Sequence, residues 1–259
     1  NKKQALPLAP KTKIYVPKVH TPANVDWMGI AVEEHWHDPV NPSLLGKYFE
    51  LTDDPSEAEA AVCFIRQPNG AGFTLLGGYD AEDRKNGGNG YVPVSLQYRP
   101  YTAKEAREHS IAGGDPQEDF VDRSYRGKSV TVNNEDDLDL VLDTRKAMGD
   151  KPVVVCVKMT NPMVVAEFEP AADAIVAAFG DLPQALLEVI SGNCEPSGLL
   201  PMQLPRDMDT VEQQCEDVPF DMTCHTDTEG HLYDFGFGMD WSGVIDDQRV
   251  KKYAHRQNR

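Results

Sequence analysis

The stretch Lys151-Pro152-Val153-Val154-Val155-Cys156-Val157 restricts the fold more than any other part of the chain. It is a short, uninterrupted apolar run reached through a proline. Such a run predicts a strand buried on both faces, as in a parallel sheet covered by helices. A second run, Ala174-Ile175-Val176-Ala177-Ala178-Phe179, follows after Asn161-Pro162 and an acidic, turn-like patch from Glu167 to Pro170. After Gly180 the period changes, and Ala185, Leu186, Val189 and Ile190 predict one face of a short helix, with Gly192 at its C-cap. A third run, Ala60 to Ile65, predicts another buried strand. From Asn134 a helix is expected, acidic in its first turn as the helix dipole favours, with Leu138, Val141, Leu142 and Arg145 toward the core. Strands alternating with helices predict an α/β fold, a mostly parallel sheet sandwiched by helices.

A chain of 259 residues can bury one large domain with an insertion. We expect a linker at 1–12, the sandwich at 13–245 with a long loop at 66–98 and an insertion at about 100–135, and a tail at 246–259. Within the insertion, Thr102 and Glu105 predict a helix start, and Gly113-Gly114-Asp115-Pro116 its end. A net charge of −17 argues against nucleic acid, whose phosphates need clustered Lys and Arg. No apolar run approaches the length of a bilayer span. The start at Asn1-Lys2-Lys3, without Met or an apolar signal region, suggests a processed or excised fragment.

The loop 66–98 is rich in glycine and joins two predicted strands, which marks it as a functional lid or a disordered segment. No G-x-x-x-x-G-K-[ST] motif occurs, so phosphate cradling is not expected. Inside it, Tyr79-Asp80-Ala81-Glu82-Asp83-Arg84 places three carboxylates beside one Arg. Read from the residues alone, this is either a solvated acidic turn with Arg84 as counter-ion, or a like-charge cluster that raises one carboxyl pKa.

Other candidates are weaker. His35-Trp36-His37 puts two imidazoles on one side of an extended segment, without a third ligand nearby, and reads as an exposed aromatic loop. Asp221, His225 and Asp227 are conceivable ligands that read more simply as solvated loop groups. No metal or other cofactor is expected. Cys63 and Cys156 lie in apolar runs and read as buried thiols. Cys215 and Cys224 are spaced so that a disulfide around a loop is possible, and the odd count of five leaves the compartment open. The aromatic and glycine residues from Tyr233 to Trp241 suit packing against a neighbouring domain or a sugar ring.

Three segments, KPVVVCVKMTNPMVV, ADAIVAAFGDLPQALLEVISGNCEPSGLLPMQLP and YDFGFGMDW, together resemble the C-terminal α/β sandwich domain of glycoside hydrolase family 3. The resemblance is collinear over residues 151–241, with Leu199 where the family usually has Arg before Leu-Pro. Ala5-Leu6-Pro7-Leu8 and Lys13-Ile14-Tyr15-Val16 are similar to the family's passage from its catalytic barrel into this domain. Ala60 to Ile65 matches the strand that carries the family's acid/base loop, and Val92 to Gln97 matches that loop's closing segment.

The resemblance implies a retaining, exo-acting β-glycosidase, a β-glucosidase by family frequency. The general acid/base is then expected among Asp80, Glu82 and Asp83, with Glu82 first and Asp80 second. The family's Asp nucleophile lies on a barrel that this chain lacks, so the chain alone should be inactive. Its implied partners are a (β/α)8 barrel chain, as in a cleaved two-chain enzyme, and a β-linked glucoside or oligosaccharide. The wording of residues 100–145 resembles bacterial members that are exported, which implies a periplasmic or secreted location. The alternative is a non-catalytic carbohydrate-binding or interaction module on the same fold.

Overall fold

A computed structural model describes the chain apart from residues 26–29, 70–83, 89, 91–92, 106–124, 181, 216–217 and 255–259. In chain order the strands are β1 (Lys13–Tyr15), β2 (Val19–Thr21), β3 (Asn24–Val25), β4 (Ala31–Val32), β5 (His35–His37), β6 (Glu50–Thr52) and β7 (Ala60–Arg66). They continue with β8 (Tyr101–Thr102), β9 (Ser129–Val130), β10 (Val153–Lys158), β11 (Ala174–Ala178), β12 (Met239–Asp240) and β13 (Gly243–Val244). The helices are α1 (Pro42–Leu45), α2 (Asp136–Met148), α3 (Pro183–Ile190), α4 (Met208–Gln213) and α5 (Gln248–Ala254).

Five strands form the central sheet in the order β11-β10-β7-β1-β6, and every pair is parallel. The apolar runs explain the layers. In β10, Val153, Val155 and Val157 enter a core beneath α2, while Val154 and Cys156 enter one with α1 and α3. β7 splits in the same way, with Ala61, Cys63 and Ile65 on the first face and Ala60 and Val62 on the second. A strand with cores on both faces must be apolar where they cover it, and these two are, up to their exposed last residues Arg66 and Lys158. Cys63 and Cys156 are fully buried as expected, and burial pushes the Cys63 thiol up to about 12.

Leu6 and Leu8, in the segment expected to be a linker, pack into the second core. The stripe of α2 keeps the expected Leu138 and Val141 but has Thr144 and Met148 in place of Leu142 and Arg145. Leu138, Val141, Thr144 and Met148 are buried, whereas Leu142 is 36 % exposed. The i, i+3, i+7 spacing through Leu138 and Val141 continues to Arg145, whose guanidinium instead reaches Asp173 and the Lys151 carbonyl. Thr102 also departs from expectation. It lies in β8, paired with β9, and its hydroxyl meets that of Ser129 at 2.6 Å rather than capping a helix.

At the end of α3, Gly192 adopts φ +76°, as its C-cap placement predicts. A Cβ there would also stand 2.8 Å from that of Pro7, so two reasons favour glycine. Only part of α3's apolar face is covered. Leu187 and Ile190 are buried, and Ala185, Leu186 and Val189 line a groove of about 650 Å³ along the outer edge of β11. Among the described residues, no hydrogen bond reaches the outer edge of β11, and no helix is long and apolar enough to cross a membrane.

Candidate functional site

In an open parallel sheet, ligands bind outside the carboxyl ends of the strands. β7 ends there at Arg66, and the loop 66–98 leaves from it. The candidate acid/base residues Asp80, Glu82 and Asp83 lie outside the described residues. What the structure defines is the frame that holds the two stems of their loop.

The first turn of α2 builds most of that frame. Asp137 is buried, and its Oδ2 accepts the Arg66 amide at 3.0 Å and Asn134 Nδ2 at 3.0 Å. Asn134 Oδ1 accepts the Asn69 amide at 2.8 Å, while its Nδ2 also donates to the Gln67 carbonyl at 3.0 Å. At the other stem, the Tyr98 hydroxyl donates to the Arg66 carbonyl, so the chain returns to the point it left. The carboxylate of Glu167 accepts the Arg99 amide at 2.9 Å and the adjacent Tyr98 amide. Arg99 spreads its guanidinium over Glu135 and Asp139. Burial raises the Asp137 carboxyl above its ordinary range against the pull of Arg66, and burial likewise raises Glu167. The acidic first turn therefore does more than complement a helix dipole, since Glu135, Asp137 and Asp139 each bind a loop stem.

Asp136 faces the other way, onto the β2–β5 ribbon. Its carboxylate meets His20 Nδ1, and Glu34 Oε1 lies 2.9 Å from His20 Nε2. The hydrogen bond with Asp136, then that with Glu34, raises the His20 pKa against the effect of burial. The ribbon register sets Trp36 opposite His20, and the two rings stack with centroids 4.6 Å apart. His35 and His37 alternate to the other face, their rings 5.3 Å apart. The segment is thus an antiparallel strand rather than the loop expected for it.

The polar connection after α4 departs from the solvated reading at His225 and Asp227, whereas Asp221 is exposed as that reading has it. Glu169 is buried and accepts Lys2 Nζ at 2.8 Å and the Thr228 hydroxyl at 2.9 Å. Burial alone would raise its carboxyl, but these bonds outweigh it and hold the pKa below the usual range. His225 is buried 3.6 Å from Glu169 Oε2, too far for a hydrogen bond. Asp227 accepts from His231 Nδ1 at 3.0 Å, and Asp221 accepts the Cys215 amide at 2.6 Å. The two aspartates therefore have separate partners, while His225 Nε2 is buried without a hydrogen bond. Cys215 and Cys224 are unpaired; Cys215 is exposed, and Cys224 is buried beside Gln203.

Residues 200–204 and 233–237 are zipped by backbone bonds, Leu200 to Phe237 at 2.7 Å and Leu204 to Tyr233 at 3.0 Å. A Cβ on Gly238 would stand 2.2 Å from the Gly198 carbonyl, so only glycine allows this approach. Tyr233 and Phe237 stack on each other at 5.1 Å, and Phe237 and Trp241 line the groove beside β11.

The profile of the "Glycosyl hydrolase family 3 C-terminal domain" matches residues 1–241. Beta-glucosidase C of Emericella nidulans is 36 % identical over 96 residues, which is 37 % of this chain and 15 % of that protein. A "Periplasmic beta-glucosidase/beta-xylosidase" of Dickeya chrysanthemi is 27 % identical over 120 residues, 46 % of this chain and 17 % of that protein. The matched part is thus a small fraction of these relatives. A solved β-glucosidase of Chaetomella raphigera aligns over 93 % of this chain and 34 % of its own, with 17 % identity and a TM-score of 0.47. The chain belongs to glycosyl hydrolase family 3 and carries that family's C-terminal domain.

Proposed function

We propose that this chain is the C-terminal portion of a retaining β-glucosidase, and that its loop 66–98 presents the general acid/base to a barrel portion bearing the nucleophilic Asp. The observation that carries this reading is the family match over residues 1–241, joined to a long loop with three clustered carboxylates, whose stems are clamped at the carboxyl edge of the sheet. Glu82 is the first choice for the acid/base and Asp80 the second.

In the first step the carboxyl proton passes to the glycosidic oxygen, while the barrel carboxylate attacks the anomeric carbon and the sugar leaving group departs. In the second step the same loop carboxylate removes a proton from water, which displaces the enzyme carboxylate from the sugar. Both steps need the two carboxyl groups about 5–5.5 Å apart, so a loop with fixed stems is the right kind of carrier. The chain alone lacks the nucleophile and is expected to be inactive. The periplasmic description of the Dickeya relative supports export.

The test is turnover of cellobiose by the enzyme that contains both portions. Glu82→Gln is expected to lower kcat about 10²–10⁴-fold, the usual contribution of a general acid. Near-normal turnover in both Glu82→Gln and Asp80→Asn would reject the assignment.

A further inference from the structure

We propose that His35 and His37 form a two-imidazole chelate for a zinc ion, on the face of the β2–β5 ribbon opposite Trp36. The site shares no residue with the loop 66–98, so it does not depend on the acid/base assignment. Strand alternation puts both histidines on one face, and the pairing of His20 with Trp36 occupies the other. Both histidines are exposed.

Their spacing fits one metal. The two rings lie 5.3 Å apart, centroid to centroid. With Zn–N bonds of about 2.0–2.1 Å and tetrahedral angles, two imidazoles that share one zinc stand about 5.2 Å apart. A cis pair in the square plane that suits Cu(II) would stand about 4.5 Å apart. The tetrahedral ion is therefore the better match. The tautomer is set as well. His35 Nδ1 lies 2.9 Å from the Glu33 carbonyl oxygen, which can only accept, so Nδ1 carries the proton and Nε2 keeps its lone pair. A backbone carbonyl on the distal nitrogen is a usual partner of a metal-bound histidine. Among the described residues, neither nitrogen of His37 has a hydrogen-bond partner, which leaves its lone pair free too.

The ribbon holds the pair in place before a metal arrives. Its backbone ladder fixes both positions, and on the other face His20 fastens it to Asp136 of α2 and to Glu34. Ligands ordered in advance lose little freedom on binding. Glu33, Glu34 and Asp38 are exposed beside the histidines in sequence, and the chain carries a net charge of −17, so the field favours a cation. Among the described residues, no third His, Cys, Asp or Glu joins the pair, so the other coordination positions fall to water. Such a site is open and exchanges its metal with solvent.

The test is titration of the full chain with zinc chloride, followed by calorimetry and by NMR of ¹⁵N-labelled imidazoles. Zinc is expected to shift the Nε2 signals of His35 and His37 and to leave those of His20, His225 and His231 in place. His35→Asn and His37→Asn should each weaken binding at least about tenfold, the least that losing a supporting contact of a bound metal costs. Both side chains are exposed, so neither exchange disturbs a packed core. Cys194→Ser, which removes an exposed thiol elsewhere, should leave the affinity unchanged. Equal affinity in either histidine variant overturns the chelate, as does binding that moves neither imidazole signal, or no binding at all. Affinity lost in Cys194→Ser instead would place the zinc at a thiol and overturn it too.

Discussion

Glu167 and Glu169 are two residues apart on consecutive 3₁₀ turns, yet they hold two different parts of the molecule by different means. Glu167 binds the exit stem of the loop through two backbone amides, and the nearest cation, Arg99, is shared out to Glu135 and Asp139. Glu169 binds the connection after α4 through a lysine ammonium and a hydroxyl. Burial wins at the first carboxyl and raises its pKa, while hydrogen bonding and charge win at the second and lower it. Sequence proximity says little about electrostatic environment; the identity of the donor decides it.

The largest effect is expected from breaking the second side of the comparison. Glu169→Ala should cost about 3 kcal/mol, near the lower end for a broken buried ion pair, because Lys2 keeps 17 % exposure and can recover some water. Urea denaturation measures it, and a loss under about 1 kcal/mol would show that Glu169 does not hold this region. On the first side, Asp137→Ala should cost about 2 kcal/mol by leaving the Arg66 amide unsatisfied and taking one acceptor from Asn134 Nδ2, which keeps the Gln67 carbonyl. Faster hydrogen exchange at the Arg66 and Asn69 amides should accompany it. Unchanged exchange there would detach the helix turn from the loop stem.

The smallest effect is a difference in pH slope, and its sign sharpens the contrast. Glu169, lowered in the fold, stabilises above the ordinary carboxylate pKa and loses that contribution as pH falls through its folded value. The stability gap between the parent chain and Glu169→Gln should therefore shrink on acidification. Glu167, raised in the fold, favours the folded state most at pH below the ordinary value and loses that benefit as pH rises through its folded value. The gap between the parent chain and Glu167→Gln should shrink as pH rises. Urea midpoints between pH 3 and 7 test both, and parallel slopes would remove the distinction.

The buried strands β7 and β10 were legible because a strand covered on both faces writes its burial directly into a continuous apolar run, and the edge strand β11 was legible from a similar run although most of it is only partly buried. The existence of α2 was legible for a similar reason, while its exact face was not, since Leu142 looks as apolar as Val141 and only packing separates them. The loop frame was hidden. Asn134 to Asp139 read as an ordinary helix start, and nothing local marks Asp137 as the acceptor of an amide 71 residues earlier. Asp227 was hidden likewise, because its burial depends on how the chain closes around it. The His-Trp-His triplet did attract notice, but for its two histidines. The strand register puts the tryptophan on the face that meets His20 and the helix turn.

β11 ends the sheet with a row of backbone groups that the described residues leave unpaired, flanked by Phe179 and Leu182 at the groove. Such an edge is a template on which the same edge of another molecule can pair. Two copies that approach in this way each bring a net charge of −17, so their repulsion opposes the contact. The acidic composition, which says nothing about the fold, thus helps to keep its open edge from becoming a seam between molecules.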